Sequence, residues 1–474
     1  MYLSQRSNEF LVNFFELNRD EDRKLVLTIT ILLCNPYRMF GNLMMKEGGV
    51  TSQIDGLLQF LTESVTPFHA VAAMSKRLIE AGFDELSQFH SKDLTSGRGY
   101  FATKQGSSLI ALRVGAGDPS KGLRLVGAHT DSPNLSVKPN PVRFSSGCVQ
   151  LGVDVYGGAL LNPWFDRDLS MAGRVSFLSS SGIIESALFD TKRPVAVIPS
   201  LAIHLDREAN KQRTINYQKH IVPIIMLSEK SSFDIREWLT KQLRDVEDIE
   251  CAEVLDYELS LYDSQAPNLV GLRDEFIASA RLDNLISCYT GMLALIEASN
   301  SEWSMLVTND HEEVGSASSI GAQGPMLTDA LAAIAPDVKV NQDMRSTSWM
   351  ISVDNAHAIH PNYPERHDDQ HSPTLGGGPV IKINRNQRYA TSGDGAARVR
   401  LLARRAEVKV QPFVMRSDLA CGSTIGPIIA TETGIDTTDV GVPTLGMHSI
   451  RELASVEDIP ALLSLLTAFY QRLV

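Results

Sequence analysis

The chain has 474 residues, 43% of them hydrophobic and 21% charged, with a formal net charge of −12. That length exceeds what one simple core organises, so two domains of an ordinary folded protein are expected. The acidic balance argues against nucleic acid or an anionic membrane as a partner, although local pocket charge decides what a site accepts.

The tract before Thr51 differs in texture from the rest of the chain. Met44 and Met45 sit just ahead of the first well-formed helix, so residues 1–50 read as an N-terminal extension or as a mis-assigned start. Its apolar run, residues 25–34, is too short for a bilayer span of about 20 residues. Arg23 and Lys24 precede that run in the manner of a signal peptide, but no small-residue cleavage site comes cleanly after it. Five scattered cysteines (Cys34, Cys148, Cys251, Cys288 and Cys421) form no Cys-x-x-Cys pair. They fit reduced thiols packed as small hydrophobes, and a cytoplasmic location is expected.

Further on, Ile54, Leu57, Leu58 and Leu61 fall at helical spacing, and Thr66-Pro67 opens a second helix to about Gly82. Residues 123–128 read as a buried strand, broken by His129-Thr-Asp-Ser-Pro. From about Pro141 to Leu272, short alternating stretches such as 149–156 and 174–178 read as antiparallel strands, interrupted by a helix near 232–243. An α/β rhythm then returns: a helix from Asp283 to about Ala298, strands at 305–308 and 349–353, and a last helix over roughly 456–473. The economical organisation is an α/β domain (51–140 and 273–474) split by an inserted β-rich domain (141–272).

Polar residues of metal-ligand type come directly after the predicted strands: His129, Glu312-Glu313, Asp354 and His448, with Asp283 at a helix start. In open α/β sheets functional groups gather beyond the carboxyl ends of strands. Two histidines with carboxylates suit a pair of borderline divalent ions such as zinc better than calcium or an iron–sulfur cluster. On an extended strand Asp131 lies on the same side as His129 and could accept the far imidazole N–H, although His-x-Asp alone is a weak pattern. Glu312-Glu313 is either a solvated acidic turn or a buried pair needing cations, one carboxylate ligating and its neighbour taking a proton from water. Asp354, His357 and His360 fall within seven positions. The His, Asp and Glu residues of 361–371 read as a solvated loop, and Gly376-Gly-Gly as a turn rather than a phosphate cradle.

At these residues the sequence resembles the aspartyl aminopeptidase family of co-catalytic metallopeptidases. The matching stretches are GAHTDSP from Gly127, YGGALLNPWFDRDL from Tyr156, PSLAIHL from Pro199, ARLDN from Ala280 and NDHEEVGS from Asn309. DNAHAIHPNYPE from Asp354, GPVIKINRNQRYA from Gly378, CGSTIGP from Cys421 and GMHSIRE from Gly446 complete the series, which runs from about Thr51 to the end. The resemblance implies a three-layer α/β catalytic domain of zinc-peptidase type with an inserted β-rich dimerisation domain. It further implies two divalent ions per subunit, Zn2+ first and Mn2+ or Co2+ as alternatives, bridged by Asp283. His129 and Asp354 would complete one ion's shell, and Glu313 and His448 the other's. Glu312 would be the general base and Asp131 its supporting carboxylate, while His204 of the inserted domain would reach a neighbouring subunit's active site. His357 and His360 would line the substrate site, and Lys382 and Tyr389 would hold an acidic side chain. The implied activity is removal of N-terminal Asp or Glu from peptides by a homo-oligomer, with dimers assembled into a dodecamer. The rivals are a related di-metal exopeptidase or deacylase for neutral substrates, and a catalytically idle assembly protein on the same scaffold.

Overall fold

The computed structural model describes residues 49–228, 232–472 and 474. Residues Ile54–Val474 form one compact unit. Of the residues before it, 49–53 are described, as the opening of the helix Gly49–Glu63. The apolar run 25–34, Cys34, Met44 and Met45 lie outside the described residues, so the alternatives for that tract stand as expectations.

Segments such as Met305-Leu-Val and Trp349-Met-Ile offer no polar face to water, so both their sides must be covered. Ser304–Asn309 and Trp349–Val353 are buried at every position. With Arg124–His129 and Asp436–Gly441 they form four adjacent parallel strands, in the order 304–309, 124–129, 349–353, 436–441, at the centre of a nine-stranded sheet. Antiparallel strands Ser108–Arg113 and Gly99–Lys104 extend one side. Val380–Ile383, antiparallel to Asp436–Gly441 and parallel to Gln411–Val414, extends the other.

Strand side chains alternate between faces, and each face has its own helices. Leu125, Met305 and Met350 pack with Leu327, Leu331, Met344 and Ile429 from the helices Met326–Ile334, Val338–Thr347 and Ile425–Thr433. Val126 and Leu306 meet the helix Leu282–Ile296 instead, where a Cβ on Gly291 would lie 3.0 Å from Leu306 and 3.1 Å from Val126.

The alternating middle tract builds a separate six-stranded antiparallel sheet, in the order 184–190, 169–179, 251–263, 134–145, 148–156, 224–227. Its core joins Leu135, Leu151, Val175 and Leu259 to Ile235, Leu239 and Leu243 of the helix Ile235–Asp245. The sheet opens at Asn134, ahead of the change in texture near Pro141, because Asn134–Ser145 is one continuous strand. Beyond Asp263, Asn268–Val270 joins a third, five-stranded sheet with Phe276–Ser279, Glu452–Ser455, Pro443–Leu445 and Ala356–His357. The last helix, Asp458–Tyr470, is shorter than its apolar pattern suggests. The carboxylate of Asp458 accepts the N–H groups of Gly376 and Gly378, each at 2.8 Å, so the glycine-rich turn is tied down by the chain itself. Cys148, Cys251, Cys288 and Cys421 are free thiols. No helix among the described residues is long and apolar enough to cross a membrane.

Candidate metal centre

The carboxyl ends of the four parallel strands converge on one cluster. His129 ends its strand, Asp354 comes directly after Val353, and Glu312 and Glu313 form a 3-10 turn just after Asn309. His448 arrives on the loop between Pro443–Leu445 and Glu452–Ser455. Asp283 enters from the start of the helix Leu282–Ile296, where its own backbone is not yet helical and its bond to Asn284 is cis. Arg281, His311 and His448 take left-handed φ of 61°, 65° and 65°. Such conformations cost about 1–3 kcal/mol each and are kept where the surroundings impose them.

Asp283 faces two ways. Its Oδ1 lies 3.5 Å from His129 Nε2, which is 3.7 Å from Asp354 Oδ1. Its Oδ2 lies 3.5 Å from His448 Nε2, which is 3.4 Å from Glu313 Oε1. His129, Asp283 and Asp354 form one group, and Asp283, Glu313 and His448 another, with ligand atoms mutually within 4.8 Å. Tetrahedral sites with metal–ligand bonds of about 2.0–2.1 Å have ligand–ligand edges of about 3.3–3.4 Å, close to these spacings. Asp283 Oδ1 and Glu313 Oε1 are buried without a hydrogen-bond partner, a costly state for carboxylate oxygens unless a cation engages them. The residues therefore fit divalent metal.

Charge balance points the same way. Burial works against the ionised form of every group, and the carboxylates then press on one another. Glu312 is pushed up to about 7, by burial first and further by Asp354, Asp131 and Asp283. Burial lowers His448, but Asp283 and Glu313 outweigh it and raise the imidazolium to about 10. A histidine raised beside glutamates raised marks surplus negative charge, which cations would relieve.

The supporting contacts differ in part from the sequence reading. His129 Nδ1 lies 3.0 Å from the main-chain carbonyl oxygen of Asp131 and 3.4 Å from its carboxylate. The strand stops at His129, so Asp131 is not in the extended i+2 relation, and its carbonyl is the nearer acceptor. The Asp131 carboxylate instead accepts the N–H of Glu312 at 3.2 Å, that of Glu313 at 3.1 Å and the Tyr156 hydroxyl at 2.7 Å. It holds the Glu312-Glu313 turn in place. Sequence reasoning misses Glu452, although it stands four residues after His448. Its buried carboxylate accepts the N–H of Asp283 at 3.0 Å and of His448 at 2.9 Å, while the Ser132 hydroxyl donates to the Asp283 carbonyl at 2.6 Å.

Lys382 is 3% exposed, which excludes a solvated strand lysine. Its ammonium donates to Asp354 Oδ2 at 3.0 Å, to the Asp354 carbonyl at 3.3 Å and to the Asn355 carbonyl at 2.9 Å. It also sits 4.8 Å from the centre of the buried Tyr389 ring. Burial opposes its charge, but Asp354 with Tyr389 and Asp439 raises its pKa above the usual lysine value. His357 packs its ring 6.0 Å from Phe413, and burial, then Lys382, pushes it down to about 4, so it is neutral. The His360 ring packs tilted against Tyr363, with centres 4.9 Å apart, outside both ligand groups. His204 is exposed on a loop of the middle tract and makes no hydrogen bond or ion pair among the described residues.

The sequence agrees with this chemistry. Residues 60–470 match the family described as Aminopeptidase I zinc metalloprotease (M18). A probable M18 family aminopeptidase 2 of Pseudomonas putida is 51% identical over 418 residues, covering 88% of this chain and 97% of that protein. Among solved structures, Ape4 in its complex with Nbr1 superposes with a TM-score of 0.85 at 34% identity, covering 89% of this chain and 86% of that one. The dodecameric mApe1 of S. cerevisiae gives 0.76 at 27% identity, covering 88% and 95%. The chain belongs to the M18 family, which includes aspartyl aminopeptidase, and is a metallo-aminopeptidase.

Proposed function

We propose that the chain is a two-metal aminopeptidase that removes acidic N-terminal residues from peptides, with Glu312 as general base. The observation that carries the two-metal part is Asp283, whose two oxygens each face a different histidine at 3.5 Å. Two divalent ions bound there, zinc first, would acidify a bound water and polarise the scissile carbonyl. Glu312 stands beside His129 and Glu313, takes the water's proton and later returns it to the leaving amine. The surrounding carboxylates suit a free α-amino group, which restricts cutting to chain ends. His204 is exposed and has no side-chain partner among the described residues, which suits a role in a second subunit's site as an oxyanion donor. A homo-oligomer of dimers assembled into a dodecamer accords with the mApe1 dodecamer, and a cytoplasmic location with the reduced thiols.

The acidic preference rests on Lys382 beside Tyr389. The tie between Lys382 and Asp354 is the observation that favours the rival, an exopeptidase for neutral residues, because it already occupies the ammonium. Replacement separates the two. Lys382→Met is expected to lower kcat/KM for N-terminal Asp or Glu a hundredfold or more, while Ala or Leu substrates change little. That loss corresponds to removing a desolvated charge partner worth about 2–5 kcal/mol. An equal loss on all substrates would show that Lys382 acts through Asp354 and does not read the side chain. The parent test is a panel of N-terminal residues on chromogenic substrates with and without chelator: cleavage should favour Asp and Glu and stop when metal is removed.

A further inference from the structure

The Tyr-Gly-Gly-Ala-Leu stretch from Tyr156 has no part in the proposed reaction, yet it runs along the metal centre. It continues from the strand Cys148–Tyr156 of the six-stranded sheet. The Tyr156 hydroxyl donates to Asp131 at 2.7 Å. Gly157 has φ 68°, and a Cβ there would lie 3.1 Å from Glu313 Cβ. Next, the Gly158 carbonyl oxygen lies 3.3 Å from His448 Nδ1, and a Cβ on Gly158 would lie 3.2 Å from the same nitrogen. The N–H of Leu160 then donates to the His448 carbonyl at 2.9 Å, and Leu160 and Ser449 form a parallel bridge.

The consequence for His448 is specific. Its Nε2 faces Asp283 and Glu313, so the acceptor at Nδ1 decides whether the ring presents a lone pair or an N–H to that group. A carbonyl at Nδ1 holds the proton there and frees Nε2 for a metal. The first group is held differently, since His129 Nδ1 is satisfied by Asp131 from its own loop. The two histidine rings thus meet Nδ1 partners from different parts of the fold, and two consecutive glycines let the strap pass within contact distance of Glu313 and His448.

We infer that the strap of residues 156–160 is the positioning element of the Asp283–Glu313–His448 group, so that the six-stranded sheet sets how tightly that group holds its ion. This rests on the two-metal reading. The test is a zinc titration of the metal-free full chain against a competing chelator, with His448→Ala as the one-ion control. The parent chain is expected to take up two ions. Gly158→Ala forces the His448 ring to yield by a few tenths of an ångström. It should weaken one ion about 10–100-fold, the range for a lost supporting contact, and leave the other unchanged. The thermal unfolding of the metal-free protein should not move. Two ions at parental affinity in Gly158→Ala overturn the inference alone, whereas a parent chain that takes up a single ion overturns the two-metal reading and the inference with it. If Gly158→Ala does not fold, Tyr156→Phe decides, since it keeps the ring and removes only the hydroxyl that anchors the strap. Weakening confined to the ion that His448→Ala loses supports the inference; parental binding, or weakening of the other ion, overturns it.

Discussion

Replacing Glu312 by glutamine should leave the metal content of the protein unchanged and lower kcat by about 10²–10⁴-fold, the usual weight of a general base. The amide matches the carboxylate in shape but cannot accept the proton of the attacking water. The local structure should tolerate the change, because the turn is held through main-chain N–H groups of Glu312 and Glu313 on Asp131, and these remain. The carboxyl is pushed up to about 7, by burial first and then by neighbouring carboxylates. Cations in the centre would draw it down and keep it ionised near neutral pH. Elemental analysis alongside initial rates checks the prediction, and near-parental turnover in a metal-replete variant would remove Glu312 from the role.

Asp283→Ala should abolish activity through a different route, by emptying both ligand groups together. Each group loses one oxygen, and the negative charge that would neutralise both proposed ions disappears at once. Losing an outer contact of a metal ligand costs about 10–100-fold in affinity, so losing a shared ligand should cost more at each site. The variant is a fair one because the segment is anchored by its backbone. Glu452 accepts the Asp283 N–H and Ser132 donates to its carbonyl, and neither contact involves the side chain. Two ions per chain in the purified variant would sink the bridging assignment.

The elements that position this centre are legible in the sequence for a physical reason. Strands covered on both faces must be apolar throughout, so Met305-Leu-Val and Trp349-Met-Ile stand out, and so do the His, Glu and Asp residues where they stop. The early start of the six-stranded sheet at Asn134 is not legible, because Pro139-Asn-Pro141 interrupts the pattern although the strand Asn134–Ser145 runs through it. Contacts made by main-chain atoms are equally silent. Asp131 orients His129 through its carbonyl, and Glu452 grips two backbone N–H groups, so neither role can be deduced from side-chain pattern alone. Alternation beside Ile381 and Ile383 leaves Lys382 free to face water or protein. Only the covering of both faces of that strand settles that it meets Asp354.

The order of strands in the nine-stranded sheet also bears on when this protease can first act. Asp436–Gly441 is the last of the nine to be synthesised, yet it lies between Trp349–Val353 and Val380–Ile383 rather than at an edge. A chain growing from its N-terminus can pair the earlier strands but must leave a gap in the sheet until this one arrives. His448 comes within a few residues of its end, and the loop carrying His448 closes the second ligand group. The nascent polypeptide therefore cannot bring His448 to Asp283 and Glu313 until Asp436–Gly441 and the loop after it have been made and the gap in the sheet closes.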